Sequence, residues 1–487
     1  MKNPHYQSRA LTLFITFLLL ASGLSAAALP ASSIIKIQGK FFIVNNSTFT
    51  IRGVCYSAVR AGNSPSDYEW WSDPGVYNTD FPLISAMGAN TIRTYAVSSN
   101  DTYVKAVLAS AAADGLYVIM GYSIPSNQDF SNPVARAAVV SDFQAFVNKW
   151  KNYPAVLMWN FGNEVYYHTA SLSGWYSLID EAAAAAHAAE GANYHPVTTA
   201  IPDVELTYSV ANDTNVPHLD IWGLNIYRGK SFGNLFTTYA STKPFFMSEW
   251  GCDVYDSRIA NANEGMQSDY LKSQWLEMSA HLAGSGGSCA GGTLFEWCDE
   301  WWKGSNPPGQ NLGSGGVGGV SVHDTATDWT NLAYDDPAMN EEWWGIVGIS
   351  LGSNKRSERI AYQSVTTLWG GTEVTGTDTG DSGASAGIFE GVVRNFPNPF
   401  INNGTTTTRI KFLVQGNPVI KIEIFNMNGV KVRELTNIST SGEIRESFWD
   451  GRDSDMGIVP FGLYICKVQA DTATAEEVQY RKIAVVK

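Results

Sequence analysis

The rhythm of apolar and polar positions changes three times along this chain. Residues 33–51, SIIKIQGKFFIVNNSTFTI, alternate over two short runs with a polar Asn-Asn-Ser turn between them, which predicts a β-hairpin. Short, near-continuous apolar runs follow: RGVCYS, NTIRTYA, LYVIMGY, AVLMWNF, PVTTAI, IWGLNIY, PFFMSEW and GTLFEWC. Runs of that length without alternation are what strands buried on both faces require. Helical spacing fills most of the gaps. DTYVKAVLASAAADG, PVARAAVVSDFQAFVNKWKN and GWYSLIDEAAAAAHAAEG carry it, and SERIAYQSVTTLW predicts a final helix ending at about residue 369. Eight strands alternating with helices predict a closed (β/α)8 barrel of the TIM type over residues 33–369. The alternative, an open doubly wound sheet, is disfavoured because the first strand runs into CYSAVRAGN, which lacks a glycine-rich phosphate loop.

The rhythm is lost at 370–387, GGTEVTGTDTGDSGASAG, which is nearly free of large apolar residues and predicts a flexible linker. In 388–487 it returns as TTTTRIKFLV, VIKIEIFN, VKVREL, EIRESFW, GLYICKVQA and YRKIAVVK, separated by turns such as NMNG, WDGRDSDMG and PFG. Regular short strands with turn signals predict a second, all-β sandwich domain.

At the other end, residues 1–27 read as a signal peptide. Lys2 and Arg9 precede the apolar ALTLFITFLLLASGL, and SAAA supplies small residues for cleavage near Ala27. No other run is long and apolar enough to span a bilayer. The expected location is therefore secreted or at the cell surface. Export permits disulfides, and a bridge from Cys252 to Cys289 or Cys298 is one expectation, with at least one of the five cysteines left over. There is no CxxC or HExxH spacing, so neither a protein-bound catalytic metal nor another cofactor is expected. A net charge of −14 argues against nucleic acid as a partner but would not repel a neutral polymer.

A barrel of this type keeps its chemistry where the strands end. Strand two ends near Arg93 and Tyr95, strand four in WNFGNEV with Asn163 and Glu164, and strand six near Asn225 and Tyr227. Strand seven ends in Glu249, and strand eight in FEWCDEWW, with Glu296, Trp297, Asp299 and Glu300. A single glutamate at a strand end is more often a solvated or salt-bridged loop residue. Two glutamates on strands four and seven, however, face each other across the barrel mouth. Such a pair suits acetal hydrolysis: one carboxylic acid protonates the leaving oxygen while the other carboxylate attacks the anomeric carbon or activates water. Asn163 could then bond a sugar hydroxyl near the reacting centre. Arg93 and Tyr227 could hold the nucleophile ionised, and burial beside like charge could keep Glu164 protonated. Fifteen of the sixteen tryptophans precede the linker. Indole faces stack on sugar rings, and Trp297, directly after strand eight, is the first candidate, with Trp70/Trp71 and Trp301/Trp302 as cleft walls. The ordinary alternative for any of them is core packing.

These residues carry a resemblance. The glutamates after strands four and seven resemble the retaining glycoside hydrolases of clan A. DFPLISAMGANTIRTYAV, WNFGNEV, DIWGLNIY, FFMSEWGCD and FEWCDEWW are similar to segments of the fungal β-1,3-glucanosyltransferases of glycoside hydrolase family 72. The resemblance covers roughly residues 35–370. It implies Glu164 as acid/base, Glu249 as nucleophile, and Arg93, Asn163 and Tyr227 as their supports. The glycine-rich GSNPPGQNLGSGGVGGVSVHD after strand eight departs from that family, as does the C-terminal domain. That domain resembles Ig-like modules of secreted bacterial proteins, through NFPNPF, IKIEIFNMNGVKVREL and PFGLYICKV, which implies secretion machinery or the cell surface as a further partner. The expected activity is hydrolysis of a β-linked polysaccharide, β-1,3-glucan foremost, through a covalent glycosyl-enzyme. The alternatives are a β-1,3-glucan transglycosylase, a β-mannanase of the same clan, or an inactive surface protein that binds carbohydrate.

Overall fold

Eight apolar runs close on themselves. In the computed structural model they are β1 (Ile51–Cys55), β2 (Thr91–Arg93), β3 (Tyr117–Tyr122), β4 (Val156–Asn163), β5 (Val197–Pro202), β6 (Ile221–Asn225), β7 (Phe245–Trp250) and β8 (Cys289–Leu294). Each pairs in parallel with the next, and β8 returns to β1, so the barrel has no edge. The strands are buried along nearly their whole length, as their unbroken apolar runs require. The structure describes residues 27–371 and 388–486, apart from 304–322, 350–355 and some shorter stretches. The signal segment, the linker and the glycine-rich insertion therefore lie almost wholly outside the described residues.

The outer helices are α1 (Pro74–Ala86), α2 (Asp101–Ala113), α3 (Pro133–Trp150), α4 (Leu172–Glu190), the single turn α5 (Leu235–Thr238), α6 (Glu264–Ala280) and α7 (Ile360–Trp369). Their starts follow from local chemistry. Asn100, Asn132 and Ser171 each turn a side-chain oxygen onto a free N–H of the first turn of α2, α3 and α4. Between β5 and β6 the described residues form only a 3-10 stretch, Asp203–Thr207, in place of a helix.

The predicted turn at Asn45-Asn46 joins Phe41–Val44 to only a two-residue strand, Ser47–Thr48; the longer pairing is Ile35–Gln38 against Phe41–Val44, which turns at Gly39-Lys40, so the segment is a three-stranded sheet and not a single hairpin. Its Ile35, Phe42 and Val44 pack with Ile51, Tyr117, Ile119, Met158, Ile221 and Phe246, closing the N-terminal end of the barrel with apolar side chains. Only the C-terminal end is left for chemistry. The anticipated disulfide does not form: all five cysteines are free and buried. Cys289 opens β8 at the sealed end of the barrel, whereas Cys252 lies beyond the other end of β7 and Cys298 beyond that of β8.

The chain divides into two compact units near residue 373. The second unit is all β. One sheet holds Phe389–Phe396, Thr408–Val414, Ile444–Trp449 and Ser439–Ser441; the other holds Phe400–Ile401, Glu476–Val486, Gly462–Asp471, Val419–Asn426 and Lys431–Leu435. Val393, Ile410 and Phe412 from one sheet and Ile422, Ile424, Val468 and Ile483 from the other share one core. Trp449, which the sequence suggests for a turn, instead ends a strand fully buried, packs against Phe400 and Tyr464, and gives its indole N–H to Arg452 O at 2.9 Å. No helix among the described residues is long and apolar enough to cross a membrane.

Candidate active site

Both strands that deliver a candidate glutamate lose their regular register just before it. In β4 the pairing with β5 slips between Asn160 and Asn163, and in β7 the pairing with β6 slips between Met247 and Glu249. Irregularities of this kind re-aim a side chain out of strict alternation. On β4, Gly162 takes φ +78°, and a Cβ there would meet Trp175 and Val165 at under 3 Å. Glu164 follows in the left-handed region at φ 47°, ψ 37°, a conformation that costs a non-glycine residue about 1–3 kcal/mol and that the surrounding packing has to hold.

Glu249 sits in a cage of donors. Arg93 Nη1 donates to its Oε1 at 2.9 Å, Tyr95 Oη to the same oxygen at 2.8 Å, and Tyr227 Oη to Oε2 at 2.9 Å. Burial raises both tyrosine hydroxyls well above their usual range, with the charge of Glu249 adding to it, so both remain donors. Arg93 is wholly buried and held through its terminal nitrogens: Nη1 also reaches Ser248 O at 3.1 Å, and its guanidinium lies 4.6 Å from the centre of the Tyr95 ring. Its Nη2 donates to Asn163 Oδ1 at 2.7 Å. Asn225 Nδ2 then reaches both Asn163 Oδ1 at 3.3 Å and Glu164 Oε1 at 3.0 Å, while Ser248 Oγ donates to Asn225 Oδ1 at 2.7 Å. One chain of hydrogen bonds thus runs from Glu249 through Arg93, Asn163 and Asn225 to Glu164.

The two carboxyls have contrasting surroundings. Among the described residues Glu164 receives one side-chain donor, Asn225, and burial followed by the charge of Glu249 pushes its pKa up to about 7. Glu249 is 7% exposed and receives three donors. A carboxyl that keeps its proton near neutrality, next to a carboxylate stabilised by cationic and hydroxyl donors, can pair acid catalysis with nucleophilic attack on an acetal carbon.

Arg93, Asn163, Glu164, Tyr227 and Glu249 therefore converge as the strand ends imply, together with two residues given no role in advance, Tyr95 and Asn225. Both stand at strand ends in the sequence, so position was the available signal. Trp297 does not join them. It is fully buried, packs at 6.1 Å against Tyr362 of α7, and has no face for a sugar, because the chain after β8 turns back into the barrel wall. Trp70 and Trp71 are also buried and stack on each other at 4.3 Å. Trp301 is half-buried and stacks at 4.8 Å on His323, which stacks in turn on Trp343. Trp329 is half-buried with its ring 6.0 Å from that of Tyr227, and the buried Trp344 lies nearer to Tyr227, at 5.0 Å. The acids after β8 are engaged elsewhere, Asp299 with Arg359 at 2.6 Å and Glu300 with Lys303 at 2.8 Å. Burial and the neighbouring Glu300 raise Glu296 well above the usual carboxyl range.

Helix α6 braces this rim. Gln267 Nε2 donates to Cys252 O at 3.0 Å and Gly345 O at 3.1 Å, and Gln274 Nε2 to Gly229 O at 2.8 Å and Gly251 O at 3.2 Å. The backbone after β6, β7 and β8 is thereby tied to one helix. Among the described residues no group of three or more His, Cys, Asp or Glu could hold a metal ion.

The chain is 29% identical over 271 residues to the 1,3-beta-glucanosyltransferase gas5 of Schizosaccharomyces pombe, a match covering 49% of this chain and 51% of that one. It is 27% identical over 270 residues to the 1,3-beta-glucanosyltransferase gel2 of Aspergillus fumigatus, covering 50% and 56%. The chain thus spans little more than half the length of either relative. Among solved structures, Gas2p of Saccharomyces cerevisiae in complex with laminaripentaose aligns at 20% identity over 70% of each chain, with a TM-score of 0.47. A Bacteroides uniformis beta-glucuronidase aligns at 14% identity over 93% of this chain and 48% of its own, with a TM-score of 0.49. The sequence model of the Glucanosyltransferase family, glycoside hydrolase family 72, matches residues 24–277, more than half of the 487, and this chain belongs to that family.

Proposed function

We propose that this protein cleaves a β-linked glucan with retention of configuration and passes the released glycosyl unit to another sugar. The observation that carries this reading is the unequal pair of carboxyls, Glu249 among three donors and Glu164 raised to about 7. In the first step Glu249 attacks the anomeric carbon and Glu164 gives its proton to the departing oxygen. In the second, Glu164 takes a proton from the incoming hydroxyl as that oxygen displaces Glu249. Asn163 commits its carbonyl oxygen to Arg93 and Asn225, so its amide nitrogen is the group able to meet a sugar hydroxyl.

Hydrolysis is the expectation from the residues alone. Family membership moves the preference to transfer, and the 1,3-beta-glucanosyltransferase names of the relatives favour β-1,3-glucan as substrate. Export rests on the character of the first 27 residues, and attachment through the C-terminal unit rests on its sequence motifs. The test is incubation with β-1,3-gluco-oligosaccharides, separating elongated from shortened products. Elongation is expected, with loss of turnover by several orders of magnitude in Glu249→Gln. Turnover by Glu249→Gln at the wild-type rate would end the two-glutamate reading.

A further inference from the structure

The side of the cleft on which an acceptor must bind is fixed by the chemistry just proposed, and this inference rests on that reading. The acid protonates the oxygen joining the donor sugar to its leaving group. The leaving sugar, and later the acceptor that takes its place, therefore lies on the Glu164 side of the reacting carbon. Immediately past Glu164 the left-handed backbone turns the chain into a 3-10 turn, Val165–His168, with Tyr167 N donating to Glu164 O at 3.1 Å. Val165 anchors this turn, being 2% exposed, whereas Tyr167 is 64% exposed and meets Tyr166 edge-on at 5.1 Å.

A single exposed aromatic on a surface is ordinary and needs no function. Tyr167 differs in its place, one turn from the acid and on the acceptor side. Its hydroxyl lies in the field of Glu164 and, beyond it, of Glu205 and Asp203. Asp203 is itself fixed by a two-pronged pair with Arg228, at 2.6 and 2.5 Å. Tyr167 thus stands among acidic groups held by their own partners, with most of its ring open to solvent.

We infer that Tyr167 is the acceptor platform: its ring stacks on the incoming sugar and favours that sugar over water at the glycosyl-enzyme. In the step it governs, the acceptor hydroxyl oxygen bonds to the anomeric carbon, the ester bond to Glu249 breaks with its electron pair returning to the carboxylate, and the hydroxyl proton passes to Glu164. With water in place of the acceptor the same step is hydrolysis. Tyr167 touches the acceptor alone, so its loss changes the partition between the two.

The experiment follows elongated and hydrolysed products from a β-1,3-gluco-oligosaccharide donor as acceptor oligosaccharide is varied, for wild type, Tyr167→Ala and Tyr167→Phe. Removing the ring is expected to lower the transfer-to-hydrolysis ratio about tenfold, equivalent to ~1.4 kcal/mol. The loss should appear as a higher acceptor KM and be recovered at saturating acceptor, and the phenylalanine variant should stay close to wild type. A ratio within twofold of wild type in Tyr167→Ala overturns the inference. So does an equal loss in both variants, which would place the effect in the hydroxyl or the fold, and so does a wild-type enzyme that only hydrolyses. A wild-type ratio retained by Glu249→Gln would instead overturn the two-glutamate reading, whatever Tyr167 does.

Discussion

Replacing Glu164 by glutamine should make the barrel less sensitive to alkali while abolishing turnover. Burial and the charge of Glu249 raise this carboxyl from an ordinary 4.5 to about 7 in the folded chain. Between those values the folded state holds a proton that the unfolded state has lost, so stability is full below about pH 4.5 and declines as pH rises toward 7. A difference of about 2.5 units at 1.36 kcal/mol each amounts to roughly 3.4 kcal/mol, of which about 2.5 kcal/mol falls between pH 5 and pH 8. Glu205, buried against Tyr176, is raised to about 7 as well and adds a similar slope. The useful quantity is therefore the wild-type curve minus that of the variant. Urea unfolding followed by tryptophan fluorescence at pH 5, 6, 7 and 8 supplies it, and fifteen of the sixteen tryptophans report on the barrel unit. Glu164→Gln should gain about 2–3 kcal/mol on wild type across that range. A difference that stays flat to within about 0.5 kcal/mol would show that Glu164 is solvated and ionises normally, and the assignment of an acid at neutral pH would fall with it.

The same protonation should set the alkaline limb of wild-type kcat/KM, with activity falling above about pH 7 as Glu164 loses its proton; a limb two units higher would point to another acid. Tyr95→Phe and Tyr227→Phe each remove one donor from Glu249 and should lower kcat/KM about 10- to 100-fold, since a hydrogen bond to a charged group is worth ~1.5–3 kcal/mol. A loss under twofold in both would show that the cage is not needed. Arg93→Met should lower stability by about 3–5 kcal/mol, because it leaves a buried carboxylate without its cation, and an unmoved urea midpoint would contradict this. Gln274→Leu strips a donor from two carbonyls on the rim and should cost about 1–3 kcal/mol in thermal or urea unfolding.

The barrel was legible because its strands are short apolar runs whose ends carry unusual polar residues. Arg93, Asn163 and Glu249 are conspicuous in sequence because each interrupts or ends such a run. Three helices were not legible, one of them, α5, being a single turn too short to show a period. α6 turns Gln267, Ser268 and Gln274 inward, so a polar buried face erases the periodicity that marks a helix, and α1 begins at Pro74 and carries Pro82 within it. The tryptophans misled for a different reason. A buried indole and a sugar platform have the same local sequence, and only the path of the chain after β8 decides that Trp297 faces Tyr362. Tyr95 and Asn225 stood at the expected strand ends, but their work is to hold other residues, and such second-order contacts depend on distances that spacing in one chain does not encode.

The five buried thiols give the molecule a built-in opening alarm. Four sit in the first unit and Cys466 in the second. Burial raises all of them above their ordinary range, Cys289 and Cys466 up to about 12. Reagents that attack thiolates will find none while the chain stays folded. Labelling followed by peptide mapping would therefore tell which half of the molecule comes apart first, with no engineered probe.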